Sequence, residues 1–139
     1  MIHTFLHRHT PWAKGVAYET VKQAITGSLC FGAYLGSQQI GFARVVTDYA
    51  TFGYLCDVFV LPEFRSKGYA RALMKHIFES DLLSKLRRIV LVTSDVHEVY
   101  RPFGFENLAH PERYMELHRP DIYTCRFIIG ASAFITVPC

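Results

Sequence analysis

A basic, glycine-containing segment, Arg65-Ser-Lys-Gly-Tyr-Ala70, lies between a strand-like run and an amphipathic helical pattern. Its glycine lets a ligand approach the backbone closely, and the first turn of the following helix offers unpaired N–H groups. Those donors, the helix dipole and the side chains of Arg65, Lys67 and Arg71 predict an anion site suited to a pyrophosphate. The same pattern also fits a plain strand-to-helix turn with a solvated basic face. The segment matches neither a P-loop nor G-x-G-x-x-G, which disfavours the nucleotide-binding folds defined by those motifs.

The elements ahead of this segment are predicted from the hydrophobic period and the turn residues. Apolar residues at helical spacing from Ala17 to Ile25 predict a helix that Gly27 can end. Two strand-like runs follow, at 30–35 and 39–46. The Gly-Ser-Gln between them predicts that the two strands form a hairpin.

The rest of the chain alternates strand and helix signals. Apolar residues at positions 70, 73, 74, 77 and 78 predict an amphipathic helix. The β-branched run at 89–93 is typical of a central strand covered on both faces. The predicted elements are, in chain order, a strand at 54–61 ended by Pro62, the helix, the strand at 89–93, a helical turn at 97–101, and a further strand entered through Phe103-Gly-Phe105. This order predicts a mixed, layered α/β domain.

Length and composition limit the class of protein. The chain has 139 residues, half of them hydrophobic and 14% aromatic. These values predict one ordered domain over residues 1–139, although the pattern does not fix the place of the apolar segment 124–139. The net charge of +3 is too small for a nucleic-acid coat but suits an anionic small ligand.

The cysteines and the apolar stretches indicate a compartment. Cysteines at positions 30, 56, 125 and 139 form no C-x-x-C pair, so we expect reduced thiols and no metal. The longest apolar stretch, 127–137, is shorter than the ~20 residues of a membrane span. Histidines and Arg8 interrupt the first ten residues, which disfavours a signal peptide. We therefore expect a cytoplasmic protein without a membrane or nucleic-acid partner.

Two blocks of the sequence resemble the GNAT superfamily of acetyl-CoA-dependent N-acetyltransferases. The first, Arg65-x-x-Gly68-x-Ala70 after Asp57-Val-Phe-Val-Leu-Pro-Glu-Phe64, resembles the acetyl-CoA motif. The second, Val92-Thr-Ser-Asp-Val-His-Glu-Val-Tyr100 followed by Pro102-Phe-Gly-Phe105, is similar to the Tyr-x-x-x-Gly-Phe signature. The spacing between the blocks also matches. The resemblance covers residues 12–123. Within this range, the sequence is similar to a group of small bacterial members of the superfamily whose substrates are largely unassigned.

This resemblance implies a fold and a binding mode for acetyl-CoA. The implied fold is a single α+β (α/β) domain with a mixed, mostly antiparallel sheet that is flanked by helices and has splayed central strands. The strand at 55–61 would diverge from the strand at 89–93, and the pantetheine arm would insert between them. The implied contacts are the backbone groups of Phe59 and Val60 for pantetheine, and for the pyrophosphate the amides of Arg65, Ser66, Lys67, Gly68, Tyr69 and Ala70.

Transfer to an amine needs a proton acceptor and a proton donor. An amine with a pKa near ~10 is mostly protonated at neutral pH, so a group must take its proton. Asp57, the only charged residue in an otherwise apolar strand, is the predicted base, directly or through water. It also fits a structural carboxylate bonded to neighbouring amides. The resemblance implies that Tyr100 donates a proton to the departing thiolate; the alternative is an aromatic side chain packed beneath the Phe103-Gly-Phe105 turn.

Polar residues around Tyr100 leave alternatives open. His97 and Glu98 either line the acceptor side or cap and pack the short helix. His97-Glu-Val-Tyr-Arg101 is not H-E-x-x-H, so a zinc protease is disfavoured. Many superfamily members carry an asparagine ahead of the tyrosine, whereas Thr93-Ser-Asp-Val-His97 occupies that segment in this chain.

Expectations for the remaining residues follow from local rules. Neighbours on a strand point to opposite faces, so Cys56 and Asp57 should not act together, which disfavours a Cys56 acyl-enzyme. The usual first strand of the family would be shortened or formed by residues 2–6, and the early histidines would belong to a mobile terminus. Acceptor preference would be set by Trp12, the 48–54 loop and Arg44, although aromatic residues of that loop also suit a hairpin core.

The predicted activity is transfer of an acetyl group from acetyl-CoA to a primary amine by direct attack. The acceptor is left open among a small amine, an amino acid and a protein lysine. The first alternative is a non-catalytic acyl-CoA-binding or sensor module, which needs no chemistry at Tyr100. The second is a structural or oligomerising protein, since residues 124–139 also suit a homodimer contact.

Overall fold

The computed structural model describes residues 1–124 of the chain. Residues 125–139, and with them the expectations for the C-terminal segment, lie outside the described residues. The helices and strands are, in chain order, α1 (Ile2–His9), α2 (Tyr18–Thr26), β1 (Leu29–Leu35), β2 (Gln38–Thr47), β3 (Phe52–Val60), α3 (Tyr69–Phe78), α4 (Asp81–Ser84), β4 (Arg88–Val90) and α5 (His97–Tyr100). Short 3₁₀ turns occupy Pro62–Phe64, Arg101–Phe103 and Pro111–Arg113.

The four strands form one mixed sheet in the order β1-β2-β3-β4. The β1–β2 and β2–β3 pairs are antiparallel, whereas β3 and β4 are parallel. Gly36 lies in the β1–β2 turn with φ +56°, a left-handed conformation that glycine adopts without a steric penalty. The predicted α+β fold with a mostly antiparallel sheet is confirmed.

Helices cover both faces of the sheet. On one face, Leu73, Met74 and Ile77 of α3 are buried against Val45 and Leu55. The predicted apolar stripe of this helix is therefore its core face. On the other face, side chains from α1 and α2 pack on β2 and β3, in a second cluster that includes Phe5, Leu6, Val21, Phe42 and Phe59.

β3 and β4 separate after a short stretch of pairing. Their ladder runs only from Phe52–Arg88 to Tyr54–Val90, while β3 continues to Val60. Opposite β2, the register shifts between Phe42 and Arg44, and Asp57 adopts φ +52° at that irregularity. Such a bulge bends a strand and increases its twist. The splay of the two strands thus follows from a short ladder and a bulge in β3.

Three expectations about individual elements were wrong. Residues 2–6 belong to helix α1 and not to a strand. The terminus is also anchored and not mobile, because ring nitrogens of His3 and His7 lie 3.1 and 2.9 Å from the Val16 carbonyl oxygen. Of the run at 89–93, only residues 89 and 90 lie in a strand, the three-residue β4, which is an edge strand in the described sheet because β3 is its one partner there.

The third wrong expectation is the strand after Phe103-Gly-Phe105. Gly104 takes a left-handed conformation (φ +86°) that ends the preceding 3₁₀ turn. The centre of the Phe105 ring then lies 5.3 Å from the centre of the Phe78 ring and 6.0 Å from that of the Tyr100 ring. No strand follows between residues 105 and 124. Across residues 1–124, no helix combines the length and the apolar character needed to cross a membrane.

Candidate active site

A cavity of about 410 Å³ opens where β3 ends, beside the beginning of α3. One wall contains six of the eight predicted cofactor contacts: Val60, Arg65, Ser66, Gly68, Tyr69 and Ala70. The opposite wall comes from α5 and the turn after it, through Glu98, Val99, Pro102 and Phe103. The divergence of β3 from β4 therefore leaves space next to the basic, glycine-containing segment.

The loop leading into α3 has an unusual backbone. Gly68 is the N-cap of the helix with φ +82°, and a Cβ built there would have no atom within 4 Å. The glycine is thus required by the backbone conformation and not by crowding. Ser66 also has a positive φ, +58°, which is uncommon for a residue with a side chain. Turns of this kind, followed by a helix N-terminus, direct backbone N–H groups towards one point, which suits an anion.

Two basic side chains of the segment are held by backbone carbonyls. Arg65 donates from Nε to the Val60 oxygen at 3.0 Å, which ties the loop to the end of β3. Lys67 donates to the Glu63 oxygen at 3.1 Å and lies 5.6 Å from the centre of the Phe64 ring. Lys67 is not a cavity-lining residue, whereas Arg71 is. The Val60 oxygen keeps a second lone pair, since a carbonyl can accept two hydrogen bonds.

Phe59 lies away from the cavity. Its side chain is buried and stacks on the Phe5 ring, with centroids 4.0 Å apart and an angle of 14° between the planes. Only its backbone groups are expected to contact pantetheine. The side chain instead joins α1 to the sheet.

Tyr100 is 9% exposed and belongs to the core on the α3 face of the sheet. Its neighbours Glu98 and Val99 line the cavity, but Tyr100 does not. Burial raises the pKa of the Tyr100 phenol above its usual value, so the hydroxyl stays protonated at neutral pH. The phenol thus has a proton to donate. Its buried ring also fits the alternative interpretation, in which Tyr100 is an aromatic side chain packed beneath the Phe103-Gly-Phe105 turn.

Asp57 is held by two side chains that are distant in sequence. Arg44 donates from Nε to Asp57 Oδ2 at 2.6 Å, and the Trp12 indole N–H donates to Oδ1 at 3.1 Å. Arg44 also donates from Nη1 to Ser28 Oγ at 3.1 Å. The side chains of Arg44 and Asp57 are 18% and 11% exposed, so the ion pair is largely buried. The partners of the Asp57 carboxylate are therefore side chains, and not the neighbouring backbone amides that a structural role for Asp57 was expected to involve.

The bulge overturns the expected arrangement of Cys56 and Asp57. Cys56 is the cross-strand register partner of Arg44, and Asp57 accepts a hydrogen bond from the guanidinium of that arginine. Strand alternation fails here because Asp57 takes a left-handed backbone conformation. Burial, with a smaller contribution from the charge of Asp57, raises the pKa of the Cys56 thiol to about 11. The thiol is therefore neutral at physiological pH and a poor nucleophile.

The remaining predicted residues have separate positions. Glu98 lines the cavity and accepts from Arg101 Nε at 2.9 Å, whereas His97 is exposed at the start of α5. Of the predicted 48–54 loop, residues 52–54 belong to β3. In the remaining turn, Asp48 accepts hydrogen bonds from the Thr51 side chain and from backbone N–H groups including that of Phe52. Within residues 1–124, no group of three or more His, Cys, Asp or Glu side chains is arranged to hold a metal ion.

Two features of the site were missed by the sequence analysis. Val99, Pro102 and Phe103 form a cavity wall, yet their residue types carry no chemical signal. The Trp12–Asp57–Arg44 network joins three segments, and no local pattern predicts a bond between residues 45 positions apart. A charged residue in the middle of each of two apolar strands, Arg44 and Asp57, was the signal that could have suggested the ion pair.

Comparisons with known proteins assign the chain to a family. The acetyltransferase (GNAT) domain model matches residues 26–107. The chain is 46% identical to a protein of Xanthomonas campestris pv. campestris assigned to the GNAT acetyltransferases; the match covers 89% of this chain and 87% of that structure, with a TM-score of 0.86.

Two further matches extend this result. An acetyltransferase-assigned protein of Gibberella zeae is 31% identical in an alignment of 103 positions that covers 60% of this chain and 58% of that protein. The chain thus spans less than two thirds of the length of this curated relative. An acetyltransferase-assigned protein of Clostridium acetobutylicum, solved with acetyl-CoA, shares the fold at 22% identity, with a TM-score of 0.54 over 73% of this chain and 70% of that one. With the family model matching more than half of its residues, the chain belongs to the GNAT family of acetyltransferases.

Proposed function

We propose that the protein transfers an acetyl group from acetyl-CoA to a primary amine. The observation that carries this proposal is the cavity between the end of β3, the N-terminus of α3 and α5. In it, the pyrophosphate would accept hydrogen bonds from the amides of residues 65–70, and Arg71 would supply positive charge. The Clostridium acetobutylicum structure, solved with acetyl-CoA on the same fold, supports this choice of cosubstrate.

The pantetheine arm would run from the cavity along the part of β3 that extends beyond β4. Phe59 and Val60 would offer backbone groups to it, as the resemblance implies. Asp57 lies three positions before Val60, which is about 10 Å along a strand. The thioester would thus meet the acceptor near the bulge at Asp57.

The reaction would be a direct transfer. The neutral amine nitrogen attacks the thioester carbonyl, a C–N bond forms, the C–S bond breaks, and the products are an amide and a thiol. Asp57 would take the proton of the amine through a water molecule, because both carboxylate oxygens already accept a hydrogen bond from the protein. Tyr100 would return a proton to the thiolate, and its buried phenol is protonated at neutral pH.

A second candidate function is a non-catalytic acyl-CoA-binding module. The observation that favours it is the position of Tyr100, which is packed in the core and does not line the cavity. Such a module would bind acetyl-CoA as described but would release no thiol in the presence of amines.

The test is release of free CoA thiol from acetyl-CoA with a panel of small amines, amino acids and lysine peptides. The proposal predicts amine-dependent release by the native protein and a loss of about a hundredfold or more in kcat for Tyr100→Phe. Binding of acetyl-CoA without amine-dependent release across the panel would favour the binding module. Unchanged kcat in a folded Tyr100→Phe variant would remove the tyrosine from the mechanism.

A further inference from the structure

The backbone of Val60, the last residue of β3, faces the side of the strand from which β4 has diverged. Along an antiparallel strand, successive residues direct their N–H and C=O groups to opposite sides. The Leu61 N–H donates to the Ile40 oxygen of β2 at 2.8 Å, so the backbone groups of Val60 point away from β2. The ladder with β4 ends at Tyr54. In the described sheet, the Val60 carbonyl is therefore an edge group without a strand partner.

Arg65 supplies the hydrogen bond that a neighbouring strand does not. Its Nε donates to the Val60 oxygen at 3.0 Å in a partly buried bond that spans the 3₁₀ turn Pro62–Phe64. Within this turn, the Phe64 N–H donates to the Leu61 oxygen at 2.9 Å. A guanidinium donor is ionised, which makes its bond stronger than one between neutral groups. The Arg65 side chain thus holds the last peptide group of β3 in one direction.

The same carbonyl is placed to serve a ligand. Val60 and Arg65 both line the cavity beside α3. A carbonyl oxygen has two lone pairs, and Arg65 Nε uses one of those on the Val60 oxygen. Pantetheine carries secondary amide groups, whose N–H donors suit the other lone pair. Arg65 therefore orients an acceptor that the pantetheine arm can use.

The positive charge of Arg65 offers a competing role. The sequence predicts that this charge contributes to the pyrophosphate site, and Nη1 and Nη2 of the guanidinium keep donors for an anion. Arg71 also lines the cavity and can supply positive charge there. The two roles of Arg65 depend on different properties: a hydrogen-bond donor at the position of Nε in one, and a positive charge in the other.

We propose that Arg65 is a positioning residue for the pantetheine arm of acetyl-CoA, and that it acts through the Val60 carbonyl and not through its charge. This inference rests on the proposed acetyl transfer and adds a role that the anion site does not supply. With Arg65 in place, the Val60 oxygen is held towards the cavity and accepts an amide N–H of pantetheine. Without that bond, the end of β3 loses its support where β4 has diverged, and the arm loses a fixed partner.

Two substitutions at Arg65 separate the donor from the charge. Arg65→Gln loses the charge but keeps a donor, because the glutamine Nε2 and the arginine Nε both follow Cβ, Cγ and Cδ. Arg65→Met has a side chain of similar length with neither property. The Kd for acetyl-CoA, measured by isothermal titration calorimetry, should rise about tenfold or more in Arg65→Met and stay within about threefold of the native value in Arg65→Gln. Equal losses in the two variants overturn the inference.

A second ligand distinguishes positioning of pantetheine from damage to the anion site. ADP contains a pyrophosphate but no pantetheine arm, and it is titrated as a competitor of acetyl-CoA. Arg65→Met should leave the Kd for ADP within about twofold of the native value, whereas Arg71→Met should weaken ADP and acetyl-CoA by similar factors. A loss of ADP affinity in Arg65→Met as large as its loss of acetyl-CoA affinity overturns the inference.

Arg113→Met is the matched control for removal of an arginine. The Arg113 side chain is 70% exposed, belongs to the 3₁₀ turn Pro111–Arg113 and does not line the cavity, so both Kd values should stay unchanged. Thermal unfolding checks that each variant is folded at the temperature of the titration. Arg65→Gln decides alone if Arg65→Met does not fold: an unchanged Kd supports the inference, and a loss of about tenfold overturns it.

Binding and thiol release are measured separately, so failure of the inference differs from failure of the proposed function. Acetyl-CoA binding without thiol release for any amine overturns acetyl transfer, and the Arg65 variants still decide the inference. Thiol release by the native protein, together with equal Kd values in the native protein and Arg65→Met, overturns the inference alone. No binding of acetyl-CoA to the folded native protein overturns both.

Discussion

The Arg44–Asp57 pair makes the sharpest prediction about the architecture of the site. Asp57→Asn keeps an oxygen for the Trp12 indole but places an uncharged amide against Arg44. Arg44→Met removes the guanidinium and leaves Asp57 with the indole alone. Each variant isolates one charge in a region where the side chains are only 18% and 11% exposed. We expect both single variants to be markedly less stable than the native protein.

The magnitude follows from the geometry. Arg44 Nε and Asp57 Oδ2 are 2.6 Å apart. Two unit charges with centres about 4 Å apart attract by about 4 kcal/mol at an effective dielectric constant near 20. Desolvation offsets part of this attraction in the intact pair, and removing one partner of a largely buried pair costs about 3 kcal/mol. For a chain of this size, the melting temperature should fall by about 10 °C.

The assay is a double-mutant cycle measured by urea and thermal unfolding at pH 7. Asp57→Asn/Arg44→Met lacks both charges, so its loss should be smaller than the sum of the single losses by about 2 kcal/mol. The control cycle uses Lys75 of α3 and Glu79, the residue that follows this helix. Their side chains are 68% and 66% exposed, and Lys75 Nζ lies 3.6 Å from Glu79 Oε1. Its coupling energy should be below about 0.5 kcal/mol. Additive losses at Arg44 and Asp57, or a coupling as small as that of the control, would refute the reasoning.

Three further predictions concern individual groups. In the thiol-release assay, Tyr100→Phe should lower kcat by about a hundredfold or more while the Kd for acetyl-CoA stays unchanged; a matching rise in Kd would instead indicate a packing role. Alkylation of Cys56 by iodoacetamide, followed by mass spectrometry, should be slow at pH 8 and accelerate towards pH 11, because burial raises the pKa of its thiol to about 11; fast labelling of the folded protein at pH 8 would contradict this. Hydrogen bonds, first from the Thr51 hydroxyl and then from backbone amides, hold the pKa of Asp48 well below its usual range, so its stabilising contribution is complete above about pH 4 and is lost as the pH falls further. Unfolding curves should thus show a steeper loss of stability below pH 4 in the native protein than in Asp48→Asn, and parallel losses would refute this assignment.

Local patterns predicted the elements that line the cavity beside α3. The apolar spacing from Ala70 to Phe78 predicted α3, because that pattern depends on residues close in sequence. The hairpin of β1 and β2 was likewise visible from its turn. The same local rules failed at Ile89, because a β-branched run has the same appearance in a covered strand and in an edge strand. The expectation of a strand at residues 2–6 was also wrong, because these residues form a helix that contacts Val16, a residue outside the local pattern.

The part of the candidate site around Asp57 and Tyr100 depends on contacts that sequence does not encode locally. Strand alternation predicted that Cys56 and Asp57 diverge, but a bulge directs both towards Arg44. Trp12 was expected to influence the acceptor, yet its bond to Asp57 joins positions 45 apart. The role of Tyr100 as a proton donor was predicted through the resemblance, whereas its burial depends on a core cluster to which Leu55 and Ile77 of other elements also belong.

The central claim is that acetyl-CoA binds at the N-terminus of α3, and two glycines provide a matched test of it. Gly68 and Gly36 both have positive φ values, +82° and +56°, and a Cβ at either position would meet no atom within 4 Å. Replacement by Glu therefore imposes a similar backbone cost of about 1–2 kcal/mol at each position. Only Gly68 lines the cavity, so only there should the new carboxylate block and repel the pyrophosphate.

The measurement is a thermal-shift titration of the native protein, Gly36→Glu and Gly68→Glu with acetyl-CoA. At a hundred times Kd, the ligand should add about 2.7 kcal/mol of stability, which raises the melting temperature by several degrees. We expect this rise in the native protein and in Gly36→Glu but not in Gly68→Glu. No rise in the folded native protein, or an equal rise in Gly68→Glu, would contradict the account.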